Sequence, residues 1–299
     1  MYLHSRGLLH DAKLLSDRAV LLGQQVYGTA HPNFASALNN RGVLLKALGD
    51  LASAERDYGQ AIQIFEGSYG PNDPFIATLL NHQAIILLDQ QKYAEALSKC
   101  ERALRIDETH CGSEHETVAR DLLTRGAIFQ QLGKVPESLQ DHLRTLEIYT
   151  KRFGDGSTYT LTALSNLGRL QEEIGDLLAA RINQEKALSV GEKLLGPGHP
   201  SVATYLSNLA SVLEKLNDPK AAIPLYERAL AIEENVFGPN HPTVAIVLAN
   251  LAHALRDSGD IQGAKARLER AVDILTEFYG PDHPDVRAVK NNLASLQGL

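Results

Sequence analysis

Apolar positions along the chain recur at helical spacing and are interrupted by short polar turns. Val202, Ala203, Leu206, Leu209, Ala210, Leu213 and Leu216 fall on one helical face, and Leu225, Tyr226, Ala229, Leu230, Ile232 and Val236 on one face of the next helix. No stretch sustains the alternation of a half-buried strand. The interruptions are strictly periodic: Gly28, Gly70, Gly112, Gly154, Gly196, Gly238 and Gly280 lie 42 residues apart without an insertion or deletion. Three and four residues after these glycines come His31-Pro32, Asp73-Pro74, His115-Glu116, Ser157-Thr158, His199-Pro200, His241-Pro242 and His283-Pro284. Fourteen residues after each stands a small residue: Gly42, Ala84, Gly126, Gly168, Ala210, Ala252 or Ala294. A second turn follows at Gly49-Asp50, Gly133-Lys134, Gly175-Asp176, Asn217-Asp218 and Gly259-Asp260.

Each feature has a helical reason. The anchor glycine ends a helix where the backbone must turn left-handed. Proline just inside the next helix loses no needed donor. Asp73 and Ser157 are good N-caps, whereas histidine is a weaker one and is expected to serve the loop differently. Gly-Asp ends one helix and caps the next. Each unit is thus a helix A of about seventeen residues and a helix B of similar length, crossing where the small residues allow close approach. One hairpin cannot bury both its apolar faces, so neighbours stack into a solenoid.

This reading predicts one array over residues 1–299 with about fourteen helices. Residues 1–27 form a partial repeat with a helix B, marked by Ala12 and Ala19. Within it, residues 1–6 are the tail of a helix A and Gly7 the turn. Full repeats occupy 28–69, 70–111, 112–153, 154–195, 196–237 and 238–279, and a terminal helix A fills 284–297 within 280–299. The start in mid-repeat predicts a fragment of a longer protein.

The run Gly-Pro-x-His-Pro-x-Val-Ala…Leu-x-Asn-Leu-Ala…Tyr-x-x-Ala-Leu-x-Ile, seen best in 196–237 and 238–279, resembles the kinesin light chain subclass of the tetratricopeptide repeat. The resemblance implies an all-α, right-handed superhelical solenoid of helix-turn-helix repeats. It also implies a non-enzymatic protein–protein interaction scaffold, with helix A lining a concave groove and helix B the convex side.

Composition agrees and narrows the chemistry. Leu and Ala dominate the 44% apolar residues and aromatics are only 6%, a helical palette. A net charge of −7 argues against nucleic-acid binding. No apolar run is long enough to span a bilayer, no signal peptide is present, and two cysteines cannot build a disulfide scaffold. These features fit the cytoplasm.

Eleven histidines raise metal and catalytic readings. His31, His115, His199, His241 and His283 occupy the same loop slot, at most one per repeat, too dispersed to converge on one ion. The local cluster His110, Cys111 and His115 is expected to hold no metal. Cys111 is read as a packing residue, because its slot elsewhere carries Tyr, Phe or Leu, and Cys100 as a core residue. Gly126 to Lys134 has the wrong spacing for a phosphate loop. The carboxylate pairs Glu172-Glu173 and Glu233-Glu234 are placed on helix surfaces. No catalytic, cofactor or metal residues are expected.

The groove stripe of helix A should hold the positions eight, twelve, fifteen and nineteen after each glycine. The twelfth position reads Asn40, His82, Thr124, Asn166, Asn208, Asn250 and Asn292. Asparagine is a poor helix former, so its recurrence there calls for a reason. In the family it hydrogen-bonds the backbone of a bound peptide; bonding between repeats is the other reading. Arg120, Arg169 and Lys215 place positive charge on the stripe, and His253 lies beside Asn250. A protein or peptide partner with acidic residues is expected, although Arg169 could instead pair with Glu173 four residues on. The alternative function is a structural or sensor region of a larger nucleotide-binding signalling protein, packed on its own other domains.

Overall fold

The computed structural model describes residues 2–296, with side chains from Asp11 onward. These residues form fourteen α-helices and no strand. The helices fall into two compact units, Met1–Arg152 and Phe153–Leu299. In the first, α1 (Tyr2–Tyr27) precedes the hairpins α2 (Pro32–Ala47) with α3 (Leu51–Tyr69), and α4 (Pro74–Asp89) with α5 (Tyr93–Cys111). The third hairpin is α6 (Glu116–Gln131) with α7 (Val135–Phe153), whose last residue passes into the second unit. There α8 (Thr158–Glu173) joins α9 (Leu177–Leu195), α10 (Pro200–Lys215) joins α11 (Pro219–Phe237), and α12 (Pro242–Asp257) joins α13 (Ile261–Tyr279). The last helix is α14 (Pro284–Leu296). Even-numbered helices are the A helices and odd-numbered ones the B helices.

Two boundaries differ from expectation. α1 runs unbroken through Gly7, where a turn was expected. A glycine costs a helix interior only about 1 kcal/mol relative to alanine, and Gly7 is followed by Leu8 rather than by the capping Asp that restarts a helix at Gly49-Asp50. Residue 297, expected in the terminal helix, lies outside the described residues.

The loop histidine is itself the cap. Nδ1 of His31 and of His199 each accepts the backbone N–H two residues on, at 3.1 Å, and His115, His241 and His283 do the same. Accepting requires an unprotonated Nδ1, so the ring does the work of Asp73 or Ser157 in the sister loops. It also stacks on the aromatic residue four positions earlier: Tyr27 on His31 at 4.9 Å, Phe237 on His241 at 4.9 Å and Tyr279 on His283 at 4.3 Å. Cys111 fills that aromatic slot but is exposed, so it does not pack as expected. Cys100 is buried, as expected of a core residue.

Small residues at the crossings are sterically required. A side-chain carbon added to Gly42 would lie 2.5 Å from the Tyr58 ring. In the second unit Val202, Ala203, Leu206, Leu209, Ala210, Tyr226, Ala229 and Leu230 are all buried in one core with the α12–α13 hairpin. The first unit buries more polar groups, including two bidentate pairs within hairpins. Arg41 holds Asp57, and Arg125 holds Asp141, each through two contacts of 2.7 Å.

Successive hairpins are also clasped along the B helices. Arg102 bonds Glu66 of the preceding repeat at 2.7 Å and the carbonyl of Pro71, in the loop that opens its own repeat, at 2.8 Å. Arg144 repeats this with Glu108 and Ser113, and Arg270 with Glu234 and Pro239. Arg228 pairs with Glu192.

Candidate binding face of the A helices

Within each unit the A helices touch one another directly: α2 with α4, α4 with α6, α8 with α10, and α10 with α12. The B helices α9, α11 and α13 are joined through long side chains, Arg228 to Glu192 and Arg270 to Glu234. The helical period sets the outward stripe of each A helix, and most of its residues are exposed or half-buried.

In the first unit this stripe is largely engaged in the fold. Asn40 is exposed. His82 Nδ1 donates to Asn39 Oδ1 at 3.2 Å, and its ring lies 5.1 Å from that of Tyr58. Burial, then the nearby Arg120 and Lys46, pushes the His82 imidazole down to about 4. Thr124, in the asparagine position, is buried and accepts from Asn81 Nδ2 at 3.0 Å.

Arg120 departs from the expectation of a free groove cation. Its guanidinium reaches Asp107 and Asp121 at 2.9 Å and Thr78 Oγ1 at 3.1 Å. Both aspartates are buried, so this arginine neutralises internal charge. Burial nonetheless pushes the Asp121 carboxyl up to about 7; Arg120 works against the rise and Asp107 adds to it.

In the second unit the stripe is differently disposed. Asn166, Asn208 and Asn250 are half-buried. Their side chains make no hydrogen bond to another described residue. Arg169 is exposed and forms no ion pair with a described residue, so the pair with Glu173 does not form. Lys215 Nζ stands 3.0 Å from Glu172 Oε1, which also accepts from Ser211 Oγ at 2.6 Å. Glu172 is therefore largely covered, against its expected surface placement. His253 is half-buried, and burial, followed by Arg256, lowers its pKa.

Glu233 departs further from the sequence reading. It is 7% exposed, with Oε2 buried and unpaired among the described residues. Reading down the repeat column would have found it. The residue thirty-seven after each glycine is Phe65, Asp107, Tyr149, Gly191, Glu233 or Leu275, and all six are buried.

Among the described residues no group of three His, Cys, Asp or Glu side chains converges as metal ligands would. His115 caps α6, and His110 Nδ1 lies 3.4 Å from the carbonyl of Ile106. No described helix is long and apolar enough to cross a membrane.

The model of the tetratricopeptide repeat matches residues 33–109, 75–134, 117–193, 174–235, 221–277 and 243–299. The chain belongs to the tetratricopeptide repeat family. Among solved structures this tetratricopeptide array is similar to BtubC (BKLC) from P. vanneervenii. The TM-score is 0.67 and the identity 21%, covering 78% of this chain and 92% of that one. A putative kinesin light chain of nearly identical TPR-like repeats from Podosopora anserina gives a TM-score of 0.62 at 21% identity, over 69% of this chain and 98% of that one. The apo form of RapI gives 0.60 at 14%, over 87% and 95%. At such identities the likeness is one of fold. A search of curated proteins finds no match. Tetratricopeptide arrays are generally protein-interaction scaffolds, and this one shares its fold with the kinesin light chain-like arrays just described.

Proposed function

We propose that this tetratricopeptide array is a non-enzymatic scaffold binding an extended peptide segment of a partner protein along α8, α10 and α12. The observation carrying this reading is the row Asn166, Asn208 and Asn250, whose amides have no partner among the described residues. An amide offers a donor and an acceptor at once, which suits a peptide backbone of any sequence. His82 and Thr124, the equivalents in the first unit, are instead bonded within the fold. Arg169 is placed to meet a carboxylate of the partner, whereas Lys215 already faces Glu172. The net charge of −7 leaves nucleic acid an unsuitable partner. The two free thiols suit a reducing compartment, and we place the protein in the cytoplasm.

The test is affinity for peptides selected from an immobilised ten-residue library, with a melting curve for each variant. Asn208→Ala should weaken binding by about 0.5–1.5 kcal/mol while leaving the fold intact. Arg169→Glu should weaken it for peptides carrying a carboxylate and reduce the salt dependence of binding. Glu227→Lys, on the exposed face of α11, should leave affinity unchanged. Arg228 would be a poor control, since it clasps Glu192. Binding abolished by Glu227→Lys but indifferent to Asn208→Ala would place the partner on the B helices.

A further inference from the structure

Glu233 stands in a column whose other members show what it faces. In the first repeat that position is Phe65, stacked on Phe75 at 5.3 Å. Phe65 floors a recess of about 240 Å³ bordered by Ser36 and Asn40 of α2 and Thr78 of α4. In the fourth it is Gly191, and the ring of Tyr205 from the next A helix takes up the space: an added side-chain carbon would lie 2.8 Å from it. The column therefore lies beneath the seam between successive A helices.

The second repeat puts an acid there. Asp107, 2% exposed, is answered by Arg120 from the next A helix at 2.9 Å. The fifth repeat also puts an acid there, Glu233, but the residue equivalent to Arg120 is Ile246, an aliphatic side chain 59% exposed. A buried carboxylate oxygen without a donor is costly. Arg228 on α11 and Arg270 on α13 are engaged with Glu192 and Glu234, and Arg267 on α13, whose Nε is buried and unpaired among the described residues, does not pair with Glu233. Asn208 on α10 and Asn250 on α12, both unbonded, stand on either side of this seam.

Building on the peptide-binding reading above, we infer that the seam between α10 and α12 takes a cationic side chain of the bound segment, an arginine or lysine, on Glu233. Arg120 does for Asp107 from within the chain what the partner does for Glu233 from outside. The partner's charge is thus mixed, acidic toward Arg169 and basic at the α10–α12 seam.

Two measurements test this. The first needs no ligand. Ile246→Arg supplies the missing cation internally and should raise the melting temperature in the wild-type background but not in Glu233→Gln. An equal shift in both backgrounds would mean that helix A cannot reach Glu233, and the site would be wrong. The second uses capped nine-residue Ala/Ser peptides that differ only at the central residue: arginine, citrulline or glutamate. The arginine peptide should bind about tenfold more tightly than the citrulline one, with the preference lost in Glu233→Gln and in Ile246→Arg. Arginine binding no better than citrulline, or not binding at all, overturns the cation site. The variant Asn208→Ala with Asn250→Ala separates the two readings. If the arginine preference survives at full affinity, the cation site stands and the amide-held backbone falls. If affinity drops for every peptide but arginine was never preferred, the reverse holds.

Discussion

The seven anchor glycines and the second-turn residues look alike in sequence, yet their backbones differ. Gly238 has φ 89° and ψ 158°, and Gly70, Gly112, Gly196 and Gly280 lie close to it. That region is open essentially to glycine alone, which is a stricter demand than the left-handed cap expected from sequence. The second turn also has positive φ but accepts Gln91 at 61° and Asn217 at 63°, values a side chain can tolerate. Gly238→Ala should therefore cost about 1–3 kcal/mol, measured by denaturant unfolding. Gly259→Asn should cost clearly less, because its slot already accepts Asn217. Equal costs would mean that the two turns do not differ as described.

At the scale of the helix pair, the crossings and caps were legible because small residues and turn residues recur in fixed columns. The loop histidines were read only halfway, since histidine seldom caps a helix and its Nδ1 acceptor is invisible in a propensity scale. Buried charge was the larger omission. Arg41, Arg125, Asp107 and Asp121 stand in columns that other repeats fill with residues such as Leu167, Phe65 and Leu79, so a single repeat gives no warning of the pairs they make with Asp57, Asp141 and Arg120. The last group makes a pH prediction. The Asp121 carboxyl is raised from 3.8 to about 7, chiefly by burial. The folded state thus holds a proton that the unfolded chain releases near pH 4. The stability this adds is full below that pH and lost as pH rises through 7. Asp121→Asn should gain on the wild type between those limits, by on the order of 2–4 kcal/mol. His82 has the opposite slope but is common to both proteins and cancels in the difference. Parallel stability–pH profiles for the two would contradict this account of the group.

Across the whole molecule, the period alone sufficed for fold and family, because an uninterrupted 42-residue repeat leaves few other ways to bury helical faces. Function was legible only in part. The asparagine row stood out in the sequence, but only the coordinates separate the stripe of the first unit, tied into the fold, from that of the second, whose amides are unbonded. Ion pairs hid the difference in charge as well: Arg120 and Lys215 look like free cations in sequence and are paired in the structure, while Arg169 pairs with no described residue.

The most direct test of peptide binding along the A helices is the side-chain amide spectrum of the protein labelled with [15N]asparagine, with and without a library-selected peptide. The account predicts that the resonances of Asn166, Asn208 and Asn250 move on binding, while that of Asn235, on the B helix α11, stays in place. Unmoved amides in α8, α10 and α12, with a shift at Asn235, would contradict it.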